Sequence, residues 1–197
     1  GKVMLFGDGA SRFYPLVSLD VVGHEVSHGF TQQNSNLEYS GQSGGMNEAF
    51  SDMAGEAAQY FMEKDKPESE RVDWLVGGGI FKGKVGKGLR YFADPTLDGS
   101  SIGHAKDYKK SLDVHYTSGV FNKAFYTLAT SDGWTLRKAF DAFVLANQTY
   151  WTQNSTFEEG GCGVKKAAED LKYSADDVIK AFDVVGVNAS CVAKDPE

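Results

Sequence analysis

The stretch His24-Glu25-Val26-Ser27-His28 decides how this 197-residue chain is interpreted, because it places two imidazoles and a carboxylate side by side. On a helix, residues four apart lie on the same face, so both imidazoles can reach one metal ion. Glu25 lies about 100° round the helix from His24, where it can contact a water on the metal without being a ligand. A random chain would contain this pattern on the order of once in a few hundred sequences. The motif indicates metalloprotease chemistry if the rest of the chain supplies a matching context.

The residues around the motif predict a helix. Tyr14-Pro15-Leu16 is extended, and Ser18 is suited to the N-cap position. Apolar side chains then recur at helical spacing: Leu19, Val22, Val26 and Phe30. The two histidines are therefore expected to share one helical face.

A second helix is predicted over residues 46–62, after a glycine-rich turn at 40–45 that reverses the chain. Glu48, Asp52 and Glu56 are four residues apart on it and share one stripe. Two histidines and one glutamate with an open position form a catalytic zinc pattern. Asp52, one turn after Glu48, could accept the outer ring N–H of a liganding histidine. Glu56 taken alone is equally well explained as a solvated surface residue.

A third element is Asp113-Val114-His115, just before a helix predicted to start near Ser118. An isolated histidine is more often a structural or surface residue than a catalytic one. The zinc pattern elsewhere in the chain favours a functional role for His115.

These motifs together resemble the thermolysin-like zinc metalloproteases. The resemblance rests on His24-Glu25-x-x-His28, on Asn47-Glu48-Ala49-Phe50-Ser51-Asp52, and on Asp113-x-His115 followed by Ser118-Gly119-Val120-x-Asn122-Lys123-Ala124. One segment is most similar to the vibriolysin and pseudolysin branch of secreted bacterial elastases: Gly41-Gln42-Ser43-Gly44-Gly45-Met46-Asn47-Glu48. The resemblance extends from Gly1 to Val187.

The resemblance implies a zinc-dependent endopeptidase that cleaves on the amino side of bulky hydrophobic residues. The implied zinc ligands are His24, His28 and Glu48. Glu25 would activate a water held by the metal and later deliver the proton to the leaving amine. Tyr39 and His115 would donate hydrogen bonds to the developing oxyanion, and Asp113 would orient His115.

The same resemblance assigns Arg90 to a substrate carbonyl on the leaving side, a task that suits its fixed fork of donors. Four apolar residues match positions that line the pocket for the residue after the scissile bond: Val21, Val76, Ile80 and Leu89. A place in the hydrophobic core explains each of these four equally well.

A structural calcium is also implied by the resemblance, since hard oxygen ligands suit this ion. The matching positions are Asp20, Glu56, Asp73 and the main-chain carbonyl of Leu75. Gln59 stands where close relatives use a glutamate. The site would then carry one negative charge fewer and bind calcium less tightly.

The two cysteines, Cys162 and Cys191, are paired in the family that the chain resembles. Such a bridge would close a loop containing the last two helices and contribute about 3 to 4 kcal/mol by restricting the unfolded chain. Two reduced, buried cysteines are the alternative. The resemblance to secreted bacterial enzymes favours an oxidising, extracellular compartment and therefore the bridge.

Composition excludes some partners. With 27 acidic against 20 basic residues, the net charge of −7 argues against nucleic acid, because phosphate binding requires a basic patch. No apolar run approaches a membrane-spanning length. His104 is predicted to be a solvated loop residue, and the glycine run at 77–79 is either a hinge or a tight connection.

The predicted fold is mainly α with a small N-terminal β-hairpin, formed by strands at 2–6 and 12–14 around a turn at 7–9. Further helices are predicted at 118–129, 135–148, 156–171 and after Ser174, which is suited to an N-cap. The resemblance divides the chain into a residual hairpin of an N-terminal lobe at 1–15, a zinc-binding helix at 16–31 and a helical C-terminal lobe at 32–197.

In this division the family's β-rich N-terminal lobe is absent from the chain. Its expected partners are therefore that lobe, a propeptide inhibitor before maturation, and peptide or protein substrates. One side of residues 16–30 should leave apolar surface unburied if the chain stands alone. Two alternatives remain: a zinc-binding fragment that is inactive without the other lobe, and a zinc aminopeptidase.

Overall fold

The computed structural model describes residues 3–83 and 86–191 and is mainly helical, as predicted. Its α-helices are α1 (Leu19–Gln33), α2 (Gly41–Met62), α3 (Val114–Thr117), α4 (Gly119–Ala129), α5 (Leu136–Thr149), α6 (Phe157–Asp170) and α7 (Ala175–Asp183). Short 3-10 helices lie at Glu68–Glu70, Gly78–Ile80, Pro95–Asp98 and Ala105–Asp107. The predicted helices are confirmed to within one or two residues at most ends.

The two-stranded sheet is not where the sequence predicted it. Its strands are β1 (Leu75–Val76) and β2 (Arg90–Tyr91), antiparallel, with Leu75 opposite Tyr91. The predicted N-terminal hairpin is wrong for the described part of residues 3–14, where Phe13 instead forms an isolated bridge with Phe81. Residues 12–14 pair with the distant segment 80–82, a contact that local pattern cannot reveal.

The predicted turn at residues 40–45 is also wrong, because α2 already begins at Gly41. The glycines serve close packing instead. A Cβ on Gly44 would lie 2.4 Å from Val114 Cγ1, and one on Gly45 would lie 2.4 Å from Thr117 Oγ1. The first turn of α2 therefore lies directly against α3, which brings His115 toward the zinc motif.

Helices α1 and α2 cross at an equally close contact. A Cβ on Gly55 would lie 2.4 Å from the main-chain oxygen of Asp20, and one on Gly23 would lie 3.2 Å from Gly55 Cα. Only a residue without a side chain fits at this crossing. The two backbones approach closely enough for short side chains of α2 to reach the histidines of α1.

The core lies between α2, α4, α5, α6 and α7 and is rich in aromatic rings. Fully buried phenylalanines meet edge to face or stacked at centroid distances of 5.1 to 6.4 Å: Phe121, Phe125, Phe143 and Phe182. This packing fixes α4 behind the site. Among the described residues no helix has the length and apolar character needed to cross a membrane.

Cys162 and Cys191 form a disulfide, as the resemblance implied. The closed loop contains the second half of α6 and the whole of α7, rather than two complete helices, because Cys162 lies within α6. The bridge fastens the end of the described chain to the helical core.

His104 is not a solvated loop residue. Its ring is half-buried, and a Cβ on Gly186 would lie 2.1 Å from its Cε1. Its Nδ1 accepts a hydrogen bond from Lys106 N at 3.1 Å. His104 thus packs its loop against the turn after α7 at Gly186.

The outer face of α1 remains apolar and open, as predicted. Leu19 and Val26 are 43% and 55% exposed. They border an apolar groove that also includes Val22 and Phe30. Helix α1 therefore presents histidines to α2 on one side and unburied aliphatic surface on the other.

Candidate metal centre and active site

Three donor atoms converge between α1 and α2. The Nε2 atoms of His24 and His28 lie 3.1 Å apart. Glu48 places Oε2 at 3.5 Å from His24 Nε2 and Oε1 at 3.4 Å from His28 Nε2. The three predicted zinc ligands thus form one cluster, whose donor atoms all lie within 4.8 Å of one another.

Neighbouring acceptors fix the tautomer of each imidazole. His24 Nδ1 lies 2.8 Å from Asp52 Oδ1, and His28 Nδ1 lies 2.8 Å from Asn47 Oδ1. The Asn47 amide is itself oriented, because its Nδ2 donates to the main-chain oxygen of Leu37 at 3.1 Å. Both Nδ1 atoms must therefore carry the proton, which leaves the Nε2 lone pairs directed at each other.

Two imidazole lone pairs that face one another beside a carboxylate are satisfied by a proton on one ring or by a metal ion between them. Glu48 is fully buried, and its Oε2 has no hydrogen-bond partner in the described part of the chain. Burial would lower the pKa of His28, but the hydrogen bond and charge of Glu48 outweigh it and raise that pKa. Imidazole nitrogens and a carboxylate are the donors that zinc prefers, so these residues fit the ion.

Glu25 is exposed and lies outside the donor cluster, on the next face of α1. It borders an open cavity of about 370 Å³ together with His28, Tyr39 and Asn47. A carboxylate in this position can exchange protons with a molecule bound at the donor cluster.

Tyr39, in the loop before α2, and His115, on α3, both contact Glu48. The Tyr39 hydroxyl donates to Glu48 Oε1, and it lies 3.4 Å from His115 Nε2. Burial and the Glu48 charge raise the pKa of Tyr39, so its hydroxyl stays protonated and remains a donor. Asp113 Oδ1 lies 2.6 Å from His115 Nδ1, which leaves His115 Nε2 facing the cluster, 3.5 Å from Glu48 Oε2.

Arg90 is held by Asp52. Its Nε donates to Asp52 Oδ2 at 2.8 Å and its Nη2 to Oδ1 at 2.6 Å. Burial would raise the pKa of Asp52, but the charge and hydrogen bonds of Arg90 lower it below its usual range. Asp52 therefore remains a carboxylate although it is only 2% exposed.

Two asparagines at the site received no role from sequence reasoning. Asn47 contacts His28, and Asn122 Nδ2 donates to Asp52 Oδ2 at 2.8 Å. Both lie inside the motifs that carry the family resemblance. Their place in those motifs is the sequence feature that indicates a role at the site. Their amide groups could be assigned only after the helices were placed in space.

The four predicted pocket residues do not share one environment. Val76 and Ile80 are buried at 4% and 2% exposure, as core residues are, whereas Leu89 is 40% exposed. Leu89 and Ile80 both approach the Gly77 backbone, and Val21 is half-buried on α1.

The acidic residues predicted to hold calcium include an unusual buried carboxylate. Both oxygens of fully buried Glu56 lack a hydrogen-bond partner in the described chain, and so does Gln59 Oε1. Burial and the charges of Asp73 and Asp20 raise the pKa of Glu56 far above its usual value. Asp20 Oδ2 accepts from Gly77 N at 2.5 Å, a contact that fastens the start of the glycine run to α1 and favours a tight connection over a hinge.

Comparison with known proteins shows the family. The model described as "Thermolysin metallopeptidase, alpha-helical domain" matches residues 35–187, and that described as "Thermolysin metallopeptidase, catalytic domain" matches residues 1–32. The chain is 59% identical over 196 residues to the hemagglutinin/proteinase of Vibrio cholerae serotype O1 and 61% identical over 196 residues to the neutral protease of Vibrio proteolyticus. These alignments cover 100% of this chain and 31% of each relative, so the chain spans about a third of their length.

A solved structure supports the same relationship. The precursor of protealysin, a metalloproteinase from Serratia proteamaculans, superposes with a TM-score of 0.80 at 34% sequence identity. The match covers 92% of this chain and 62% of the protealysin chain. The family models, the relatives and this shared fold confirm the resemblance, and the protein belongs to the thermolysin family of metallopeptidases.

Proposed function

We propose that this chain supplies the zinc site and helical part of a secreted endopeptidase that cleaves peptides on the amino side of bulky hydrophobic residues. The observation that carries the proposal is the convergence of His24, His28 and Glu48 beside the exposed carboxylate of Glu25. Family membership implies zinc, and the facing lone pairs fit that ion.

Zinc bound at these three residues would polarise a water molecule and a substrate carbonyl. Glu25 takes the proton of the attacking water, because it borders the open cavity and is not one of the metal ligands. It then passes this proton to the departing amine nitrogen, which leaves as a neutral amine.

The negative charge that develops on the carbonyl oxygen is stabilised by Tyr39 and His115. Tyr39 keeps its proton and can donate a hydrogen bond to that oxygen. His115 gives its Nδ1–H to Asp113, so it donates from Nε2 as an imidazolium, the form in which both ring nitrogens carry a proton. Asp52 uses Arg90 Nε and Nη2, so Nη1 remains to bind a substrate carbonyl. Leu89 and Val21 offer partly exposed apolar surface for the side chain after the scissile bond, and the buried Val76 and Ile80 complete the proposed pocket.

The exposed aliphatic face of α1 supports a further part of the proposal. In the whole protein an N-terminal lobe covers the groove bordered by Leu19, Val22 and Val26. Residues 16–31 then form the helix between two lobes and residues 32–197 the helical lobe. A propeptide inhibitor before maturation is proposed because the structurally similar protealysin chain is a precursor. The Cys162–Cys191 bridge fits the oxidising compartment of a secreted protein.

The experiment that tests the function uses the zinc-loaded chain and an internally quenched peptide with Gly before and Leu or Phe after the expected bond. Cleavage at the internal Gly–Leu bond that a zinc chelator abolishes supports the endopeptidase. Release of single residues from the amino end would show an aminopeptidase instead. Zinc binding without turnover, restored by adding the N-terminal lobe of a Vibrio relative, would show that both lobes are required.

We also propose a calcium site formed by Asp20, Glu56, Gln59, Asp73 and the carbonyl of Leu75. The unpartnered oxygens of Glu56 and Gln59 support it, since a buried carboxylate without a donor requires a cation or a proton. Asp73 is nearby, and burial and the charge of Asp20 raise its pKa. Four oxygen-bearing side chains and a main-chain carbonyl are suitable calcium ligands.

Calcium is expected to raise the melting temperature of the chain. At a free concentration 100 times the dissociation constant, binding adds about 2.7 kcal/mol to the free energy of unfolding. For a chain of this size that corresponds to roughly 5–11 °C. Gln59→Glu should lower the calcium dissociation constant about tenfold, because it adds a negative charge to the site. Without calcium the same variant should have a lower melting temperature, because the added carboxylate repels the neighbouring acidic residues. Isothermal titration and thermal unfolding measure both, with Gln148→Glu on the exposed face of α5 as the matched control. An unchanged melting temperature in calcium would contradict the site.

A further inference from the structure

The buried carboxylate of Asp52 accepts four hydrogen bonds, two on each oxygen. Oδ1 accepts from His24 Nδ1 at 2.8 Å and from Arg90 Nη2 at 2.6 Å. Oδ2 accepts from Arg90 Nε at 2.8 Å and from Asn122 Nδ2 at 2.8 Å. A carboxylate offers about four acceptor positions, so these protein donors occupy all of them.

The donor from Asn122 differs from the other three in where it comes from. His24 belongs to the metal site, and Arg90 lies on strand β2, with its Nη2 also 3.6 Å from Glu48 Oε2. Asn122 lies on α4, between Val120 and Phe121 on one side and Ala124 on the other, all of them at most 1% exposed. Among the described residues it is the donor to this carboxylate that is anchored in the hydrophobic core.

The Asn122 amide is retained for its N–H rather than for packing. Asn122 is 0% exposed, and its Oδ1 has no hydrogen-bond partner in the described part of the chain. An apolar residue of the same size would avoid the cost of burying this oxygen. A flipped amide would direct Oδ1 at the Asp52 carboxylate, so only the observed orientation is favourable.

We propose that Asn122 is a positioning residue that fixes the Asp52 carboxylate and thereby holds both the metal-ligating tautomer of His24 and the guanidinium of Arg90. The fork of Arg90 and the carboxylate form a planar pair that can rock as one unit about the Cβ–Cγ bond of Asp52. A third donor from a rigid helix prevents that rotation. The proposal rests on the zinc site of the proposed function but not on peptide cleavage.

The test measures zinc affinity of the full 197-residue chain by competition with a chromophoric chelator. Asn122→Leu keeps the size of the side chain and removes the N–H donor. It should raise the zinc dissociation constant about tenfold, the lower end of the 10- to 100-fold range for losing a ligand's own hydrogen-bond partner, because Asn122 acts one contact further out. The proton resonance of His24 Nδ1 should also broaden, because its acceptor is no longer fixed. Asn122→Ala carries the same expectation if the leucine variant does not fold.

Asn147→Leu is the matched control. Asn147 is also 0% exposed, and it makes buried hydrogen bonds to Ser35 Oγ at 2.6 Å and to Thr31 Oγ1 at 3.0 Å, but none to Asp52. This variant should lower the melting temperature and leave the zinc dissociation constant within about twofold, since its hydrogen bonds lie away from the ligands' partners. If Asn122 only stabilised the fold, Asn122→Leu would likewise lower the melting temperature and leave the zinc dissociation constant within about twofold.

A double variant tests the route of the effect. In an Asp52→Asn background, Asn122→Leu should cause no further loss of zinc affinity, because the carboxylate through which Asn122 acts is already gone. Equal losses in both backgrounds, or an unchanged zinc dissociation constant in the single variant, would overturn the proposal. Absence of peptide cleavage by the parent chain would count against the proposed function alone, because zinc affinity is measured independently.

Discussion

His28→Ala is expected to raise the zinc dissociation constant by more than about 100-fold, because losing a ligand exceeds the 10- to 100-fold effect of losing a ligand's hydrogen-bond partner. His28 Nε2 is one of three donor atoms in the cluster, and the cavity beside it opens to solvent. The remaining His24 and Glu48 would leave two ligands, which is fewer than catalytic zinc sites use. Chelator competition and metal analysis after dialysis measure the change.

The matched control for this variant is His104→Ala. His104 is also a half-buried histidine, but it packs against Gly186 and takes no part in the donor cluster. Its replacement should leave the zinc dissociation constant unchanged. If His28→Ala bound zinc within about tenfold of the parent chain, a range that fits a ligand's partner better than a ligand, His28 would not be a ligand and the proposed centre would be wrong.

The difference between these two histidines shows what the sequence could and could not predict. His28 stands four residues after His24 on a periodic helix, so local spacing alone placed both imidazoles on one face. The role of His104 depends on a glycine 82 residues later in the chain, at a positive φ of 71°, and no local pattern connects them. Contacts set by tertiary packing were therefore missed, whereas contacts set by helical periodicity were predicted.

The same reasoning explains the errors in the fold. Because glycine is common in turns, the glycine-rich segment 40–45 predicts a turn, but Gly44 and Gly45 are required by the approach of α3. The N-terminal segment has an apolar run and a glycine turn that predict a hairpin, yet the bridge partner of Phe13 is Phe81, far away in sequence. The hydrogen bond from Asn122 to Asp52 spans 70 residues and depends on how α4 packs behind α2. Side-chain type identified the ligands, but only the packed helices identify what holds them.

Glu25→Gln is expected to lower kcat/KM for the quenched peptide by about 10² to 10⁴, the range attributed to a positioned general acid or base. The amide keeps the size of the side chain but cannot accept the proton of the attacking water at neutral pH. Zinc affinity should stay within about twofold, because Glu25 is exposed and lies outside the cluster formed by His24, His28 and Glu48. This separation of turnover from metal binding distinguishes a base from a ligand.

Glu63→Gln provides the control for Glu25→Gln. Glu63 is a partly exposed carboxylate just after α2 that pairs with Lys66 at 2.9 Å, so its replacement removes one negative charge far along the helix from the donor cluster. Its turnover should match the parent chain, since one screened surface charge has little effect at a distance. Equal rates for the Glu25 and Glu63 variants would exclude Glu25 as the base. If Glu25→Gln lost zinc together with turnover, Glu25 would be a zinc ligand instead. The proton of the attacking water would then need another acceptor beside the open cavity at His28.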